Sequence, residues 1–466
     1  MVPHPFSNFI LFLFNKHQGT QNFSSIPLEI VFQIFDLSSP KDLFHICSLN
    51  HVHFNRVSAY LNSERFVFRF RKIVSFAYTS NEANFSPIDF ARLIRLCCLF
   101  RGNARNAISC ANFIIQLYLK VDSYNKNHNK DYWGKLITKI SFDWSQDDFI
   151  SFMRMFAEST GLSTRVRNFF MCKKNDFVEE LALRQLILDI FLNDCSYSTN
   201  ENSLNYVSFR LSAILYLFGF DGEQKHRLML ILAAPVSNRW DQENDGVNIQ
   251  PIQQLEFVDY QRIVADPIFD RQSAQTYLGK LPQFVEQLLF TKTLDLKELR
   301  WNEFELFNFL ELLTTYPEPW VLRNFASLLV LSPGLAKVAI SIRALHGDPA
   351  EAGNTLFSCI EASILLGFDT NSTLKDTLFA LTTKCTPSIC LTVLREAIST
   401  TNQLTLETFG GHLGDNGNEI AAINLDEVDF VNLKNALEAS RQVADLFLTQ
   451  LHQIKNILCL KYFVYS

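Results

Sequence analysis

The sequence predicts an all-α fold, and three observations carry the prediction. Apolar residues recur at helical spacing in nearly every segment that holds them. Strand-like alternation is scarce. The breaks are short and carry Gly, Pro, Asn or Asp. A chain of 466 residues has room for roughly two to four domains or one long array. Many helices of roughly ten to fifteen residues joined by short breaks predict an extended stacked helical domain. No fixed repeat period is present, which leaves degenerate HEAT-like pairs or an irregular α-solenoid.

Residues 1–24 contain an apolar run at 9–14 that has neither a basic leader nor a small-residue cleavage site. It is a poor signal peptide, and the segment is expected to be disordered. Residues 25–72 hold the first helices. A first helical half follows over 73–236, with periodic stretches at 90–100, 111–120, 147–158, 177–192, 204–218 and 228–234 and a polar loop at 125–130. The longest polar break, 237–254, contains Asp241, Glu243 and Asp245 and is the best internal boundary. The second half, 255–409, has periodic stretches at 281–290, 302–313, 320–331, 335–345, 354–366, 374–381 and 388–398. A flexible loop is expected over 410–427 and a final helix over 428–466.

The first helices repay close reading. Ser24 and Ser25 are N-cap candidates, and Pro27 suits a first helical turn, where its missing N–H costs little. Leu28, Val31, Ile34 and Phe35 form one stripe, and Ile30 and Phe32 widen it to a second face. Ser38-Ser39-Pro40 ends that helix. Ser39 and Asp42 can cap a second helix, in which Leu43, Ile46 and Leu49 share a face. Phe54, Val57 and Leu61 continue the pattern into a third. So small a segment cannot bury enough apolar surface to stand alone. An ordinary helical hairpin has the same periodicity, but the Pro-x-Glu start at Pro27-Leu28-Glu29 and the Asp42-Leu43 pair at its offset resemble an F-box. Two positions depart from that family's pattern. Ile26 stands where Leu is commoner, and Ser38 stands where the first helix usually ends in Leu, with Leu37 one place early.

The resemblance implies docking onto a Skp-family adaptor and, through it, a cullin. Ile26, Pro27, Leu28, Ile30, Ile34, Leu43, Ile46 and Leu49 would form the adaptor-binding set. A second resemblance lies further on. Phe304, Phe307, Leu310 and Leu313 are in register before Tyr316-Pro317-Glu318-Pro319, and Trp320 is expected to open the next helix, with Leu322, Asn324, Ala326, Leu328, Leu329, Leu331 and Ser332 following. This pattern, with Arg227-Leu228 through Pro235 and Ser237, is similar to the F-box-only protein 47 group. It covers most of residues 25–400 and implies a substrate receptor of an SCF-type ubiquitin ligase acting in meiotic prophase. For Trp320 and Asn324 themselves, core packing and helix capping are the expected roles.

Composition narrows the alternatives. A net charge of -6 gives no global basic field, so direct nucleic-acid binding is not expected. The local strip Arg65, Arg69, Arg71 and Lys72 reads as a solvated helix face. The 10 cysteines form no CxxC pair and lie mostly in apolar runs, as buried reduced thiols of a nuclear or cytoplasmic protein do. His51 and His53 have no cysteine support for zinc and read as helix-surface residues. No apolar stretch reaches the roughly twenty residues of a membrane span. Phosphate-binding loops, nucleophile elbows and zinc-protease motifs are missing, and Gly410-Gly411-His412-Leu413-Gly414 neither follows a strand nor precedes a phosphate-binding Lys. Arg residues are dispersed, without the cluster a phosphate reader needs. The expectation is a non-catalytic receptor with no cofactor, an unknown protein substrate and no membrane partner. A helical scaffold that has lost the adaptor is the alternative.

Overall fold

The first helix starts directly after a proline. In the computed structural model, which describes residues 26–74, 85–99, 106–122, 130–171, 177–192, 201–219, 221–233, 237–239, 254–256, 263–264, 267–316, 318–410 and scattered positions over 434–445, Pro27 is the N-cap of α1 (Leu28–Leu37). Its carbonyl accepts the amides of Ile30 and Val31. The helix therefore begins one residue after Pro27, and no side chain caps it. Ser24, Ser25, the N-terminal run, Pro317, the loop 125–129, the glycine-rich stretch past Gly410 and the tail 446–466 lie outside the described residues.

The chain is all-α and divides into two compact units, residues 1–213 and 214–466. The first contains α1, α2 (Pro40–Leu49), α3 (His51–Leu61), α4 (Glu64–Val74), α5 (Pro87–Leu99), α6 (Asn106–Asp122), α7 (Lys130–Ile140), α8 (Gln146–Ser159), α9 (Leu162–Met171), α10 (Phe177–Phe191) and most of α11 (Glu201–Phe218). Helices two apart in sequence pack together: α1 on α3, α4 on α6, α5 on α7, α6 on α8. This is the stacking of a solenoid, with a core built largely of rings. Phe70 has Phe66, Phe90, Tyr132 and Trp133 around it, at centroid distances of 5.7, 5.2, 5.8 and 5.4 Å. The stacked Phe66 pair and the tilted and edge-on others suit the aromatic quadrupole. Arg210 of α11 is fully buried. It donates to the Phe191 carbonyl at 2.9 Å and to the hydroxyls of Thr138 and Ser141, with its guanidinium over Phe149 and Tyr206.

The second unit continues with α12 (Gly222–Ala233), α13 (Arg271–Leu278), α14 (Leu281–Gln287), α15 (Glu303–Thr315), α16 (Leu322–Leu331), α17 (Pro333–Leu345), α18 (Pro349–Leu365), α19 (Thr370–Lys384) and α20 (Pro387–Gly410). Here α12, α15, α17 and α19 stack in one layer and α14, α16, α18 and α20 in the other. The predicted stretch 281–290 is shorter as an α-helix, because Leu288–Thr293 tightens into a 3₁₀ turn. Gly353 allows α18 and α20 to touch: a Cβ there would lie 2.6 Å from the Val393 carbonyl oxygen. The two ends of the polar stretch 237–254 carry a short antiparallel pair, Ser237–Arg239 with Gln254–Glu256.

Trp320 does not open α16 but precedes it. Its backbone N–H reaches the Thr314 carbonyl at 2.8 Å, and Val321 is the N-cap. Asn324 is fully buried and pins a neighbouring segment: it accepts the Ile268 amide at 2.8 Å and donates to the Ile263 carbonyl. Both residues are core, as expected, but the expected capping role is not met: Val321 is the N-cap of α16 and no side chain bonds there.

Candidate functional site: the N-terminal helical hairpin

The break at Ser38–Pro40 produces a hairpin whose turn is closed by side chains on both sides. Ser38 is the C-cap of α1 and is fully buried. Its hydroxyl donates to the Ile34 carbonyl at 3.0 Å and its amide to Phe35 at 3.1 Å. Ser39 and Asp42 form a complete capping box at the start of α2, each accepting the other's amide at 3.1 Å, with Pro40 in the first turn. Asn50 caps α3 by accepting the His53 amide at 3.0 Å.

Arg65 and Arg69 of α4 hold the hairpin from behind, which corrects in part the reading of this strip as a solvated face. Arg69 donates to the Phe35 carbonyl at 2.7 Å, to the Ser38 carbonyl at 2.8 Å and to the Tyr60 hydroxyl at 3.2 Å. A guanidinium at the C-terminus of α1 satisfies carbonyls that have no intrahelical partner and complements the helix dipole. Arg71 does the same for α6, donating to the Lys120 carbonyl at 2.8 Å. Arg65 pairs with Asp36, which also accepts the Tyr60 hydroxyl at 2.8 Å. Only Arg65 and Lys72 of this strip remain exposed. Tyr60 is the hub, with Phe32, Phe35 and Phe66 edge-on at 5.4, 5.5 and 5.4 Å, and burial pushes its phenol above the usual range.

The expected adaptor-binding residues divide sharply. Pro27, Leu28, Ile30 and Leu49 are exposed, the last three at 42%, 48% and 54%. Ile26 and Ile34 are half-buried. Leu43 and Ile46 are buried in this chain's own core, where α2 packs on α3 and α5. They support the hairpin and do not line its outer face, which corrects their assignment. The structure adds Leu37, exposed at 69%, at the α1–α2 turn, and Val52 just past the α2–α3 turn. The one-place shift of Leu37 against the F-box pattern was a sequence signal for the former: Ser38 turns inward, so Leu37 turns out.

His53 is buried, unlike its surface reading. Burial and the nearby Arg56 hold its pKa below the ordinary imidazole value. Among the described residues, no group of three or more His, Cys, Asp or Glu could hold a metal ion, and no helix is long and apolar enough to cross a membrane. No protein-family model and no curated protein matches the chain.

Proposed function

We propose that this chain is the substrate-recognition subunit of an SCF-type ubiquitin ligase. It docks a Skp-family adaptor, and through it a cullin, by the outer face of α1–α3 and holds a protein substrate on its helical stacks. The observation that carries the reading is the outward apolar set of Pro27, Leu28, Ile30, Leu37 and Leu49, on a hairpin whose inner face this chain already fills. Exposed apolar surface on a capped, well-packed hairpin suits insertion into a partner's groove. Such an interface buries on the order of 1,600 Å², with a few anchors worth about 2 kcal/mol or more each. No residue does chemistry in this mechanism. Substrate held near a charged conjugating enzyme reacts faster because its effective concentration rises. Action in meiotic prophase follows only from the resemblance around residues 227–237 and 302–332, and the nucleus or cytoplasm is what the cysteine usage suggests.

One observation favours a second reading, a helical scaffold without ligase activity. Leu43 and Ile46, two anchors of the F-box pattern, are used internally. A pull-down of the full chain with adaptor and cullin, beside Leu28→Ala/Ile30→Ala/Leu37→Ala, separates the two. Retention of the adaptor by the native chain and its loss in the variant, with helical circular dichroism unchanged, supports the receptor. A well-folded native chain that retains no adaptor leaves the scaffold.

A further inference from the structure

Helix α5 carries two adjacent thiols, and each faces another thiol across a helix interface. Cys47 of α2 and Cys97 of α5 are 50 positions apart in sequence, yet their sulfurs lie 3.9 Å apart. Cys98 hydrogen-bonds with Cys110 of α6. All four are buried. The two pairs differ in acidity, and each has one member at a cavity. Cys97 and Cys98 line a small, partly open cavity together with Ser58, Asn62 and Phe113, and Asn62 is exposed at its edge. The hydrogen bond from Cys97 holds the Cys47 thiol below its ordinary value, whereas Cys98 and burial push the Cys110 thiol far above it.

We propose that Cys47 and Cys97 are an oxidisable pair whose disulfide locks α2 onto α5. The oxidant is hydrogen peroxide. Cys97, which lines the cavity, attacks one peroxide oxygen. The S–O bond forms, the O–O bond breaks, and the departing hydroxide takes up the thiol proton as water. The Cys47 sulfur then attacks the sulfenic sulfur of Cys97. The S–S bond forms, the S–O bond breaks, and the second oxygen leaves as water with the Cys47 proton. Two thiols lose two electrons, and one hydrogen peroxide becomes two waters. A disulfide needs sulfurs about 2 Å apart, so two sulfurs already in contact have roughly 2 Å left to close. Closing a loop of this length restricts the unfolded chain and so favours the folded one.

The full chain, treated with hydrogen peroxide, alkylated and mapped by mass spectrometry, should yield a cross-linked peptide containing Cys47 and Cys97, lighter by two hydrogens. Its Tm should rise by roughly 5 °C or more and fall back with dithiothreitol. Cys98→Ser should keep both effects. Cys47→Ser, with native circular dichroism, should lose both and instead leave Cys97 reactive to a sulfenic-acid trap. Buried Cys359, whose pKa burial pushes up to about 12, should stay reduced throughout. A chain whose Cys47 and Cys97 remain fully alkylatable after peroxide would overturn the proposal, and so would a Cys97–Cys98 or Cys98–Cys110 linkage in its place.

Discussion

Helices α1 and α16 have the same length, 10 residues, and both are rich in aliphatic and aromatic side chains. They end up in opposite situations. α16 lies between α14 and α18 and buries an unbroken run from Asn324 to Val330. α1 packs on α3 and buries only Val31 and Phe35. A helix apolar around most of its circumference belongs in an interior. The sequence of α16 is matched by neighbours from its own chain, down to Asn324, whose two amide bonds tie in a segment some sixty positions earlier. The sequence of α1 carries more apolar surface than the described fold covers. That excess, and not hydrophobicity as such, singles out α1.

The comparison breaks most visibly in stability. Leu329 is fully buried, whereas Leu28 is exposed at 42%. Leu329→Ala removes packing atoms from a filled interior and should cost about 2–5 kcal/mol. Leu28→Ala should change stability by about 0.5 kcal/mol or less while weakening adaptor capture. Chemical denaturation followed by circular dichroism measures both. Similar losses from the two substitutions would mean that α1 is as enclosed as α16.

The next effect is electrostatic and confined to the first unit. Arg69→Met keeps the aliphatic stem but strips the guanidinium from the Phe35 and Ser38 carbonyls and the Tyr60 hydroxyl. Leaving such acceptors unmet should cost about 2 kcal/mol. Arg69→Lys should recover only part of this, since an ammonium cannot fork between two carbonyls as a guanidinium does. Hydrogen exchange should show faster opening of α1 amides and no change in α16. Equal protection of α1 in the wild type and Arg69→Met would remove the arginine clamp from the account of why an exposed helix stays folded.

Much of this contrast was legible in the sequence. Apolar periodicity located the helices of the second unit other than α13, although α20 runs on to Gly410, past its expected end at 398, and Ser39 and Asp42 announced their capping box. Three helices went unread: α7, α9 and α13. In α4 the alternation of Arg with Phe over residues 65–71 looked like a charged face, because nothing in one sequence says that a carbonyl elsewhere awaits each arginine. Periodicity also cannot tell which apolar face of a hairpin turns inward. Leu43 and Ile46 look the same as Leu28 and Ile30 until α5, some forty residues on, is placed against them. The inward turn of Ser38 is fixed by its hydrogen bonds to Ile34 and Phe35 and by Arg69, all tertiary or capping facts.

The finest comparison changes only pH. Among the described residues, each unit buries one histidine: His53 in α3 and His226 in α12. Burial is the leading cause that holds both pKa values below the ordinary one; Arg56 adds to it for His53, while at His226 the Gly222 carbonyl, Glu223 and Asp221 oppose it. The unfolded chain therefore takes up protons that the native chain refuses. Stability contributed by keeping these rings neutral is complete above an unfolded pKa of about 6.5 and declines as pH falls from there toward the folded values. Denaturation midpoints should drop between pH 7 and pH 5. His226→Gln should flatten that slope for probes in the second unit and leave it for probes in the first, and His53→Gln should do the reverse. The Tyr316 ring, its centroid 5.5 Å from that of His226, carries no charge that could substitute for water around an imidazolium. A slope that survives both substitutions would have to come from the carboxylates, and the two buried rings would then be neutral spectators of acid unfolding.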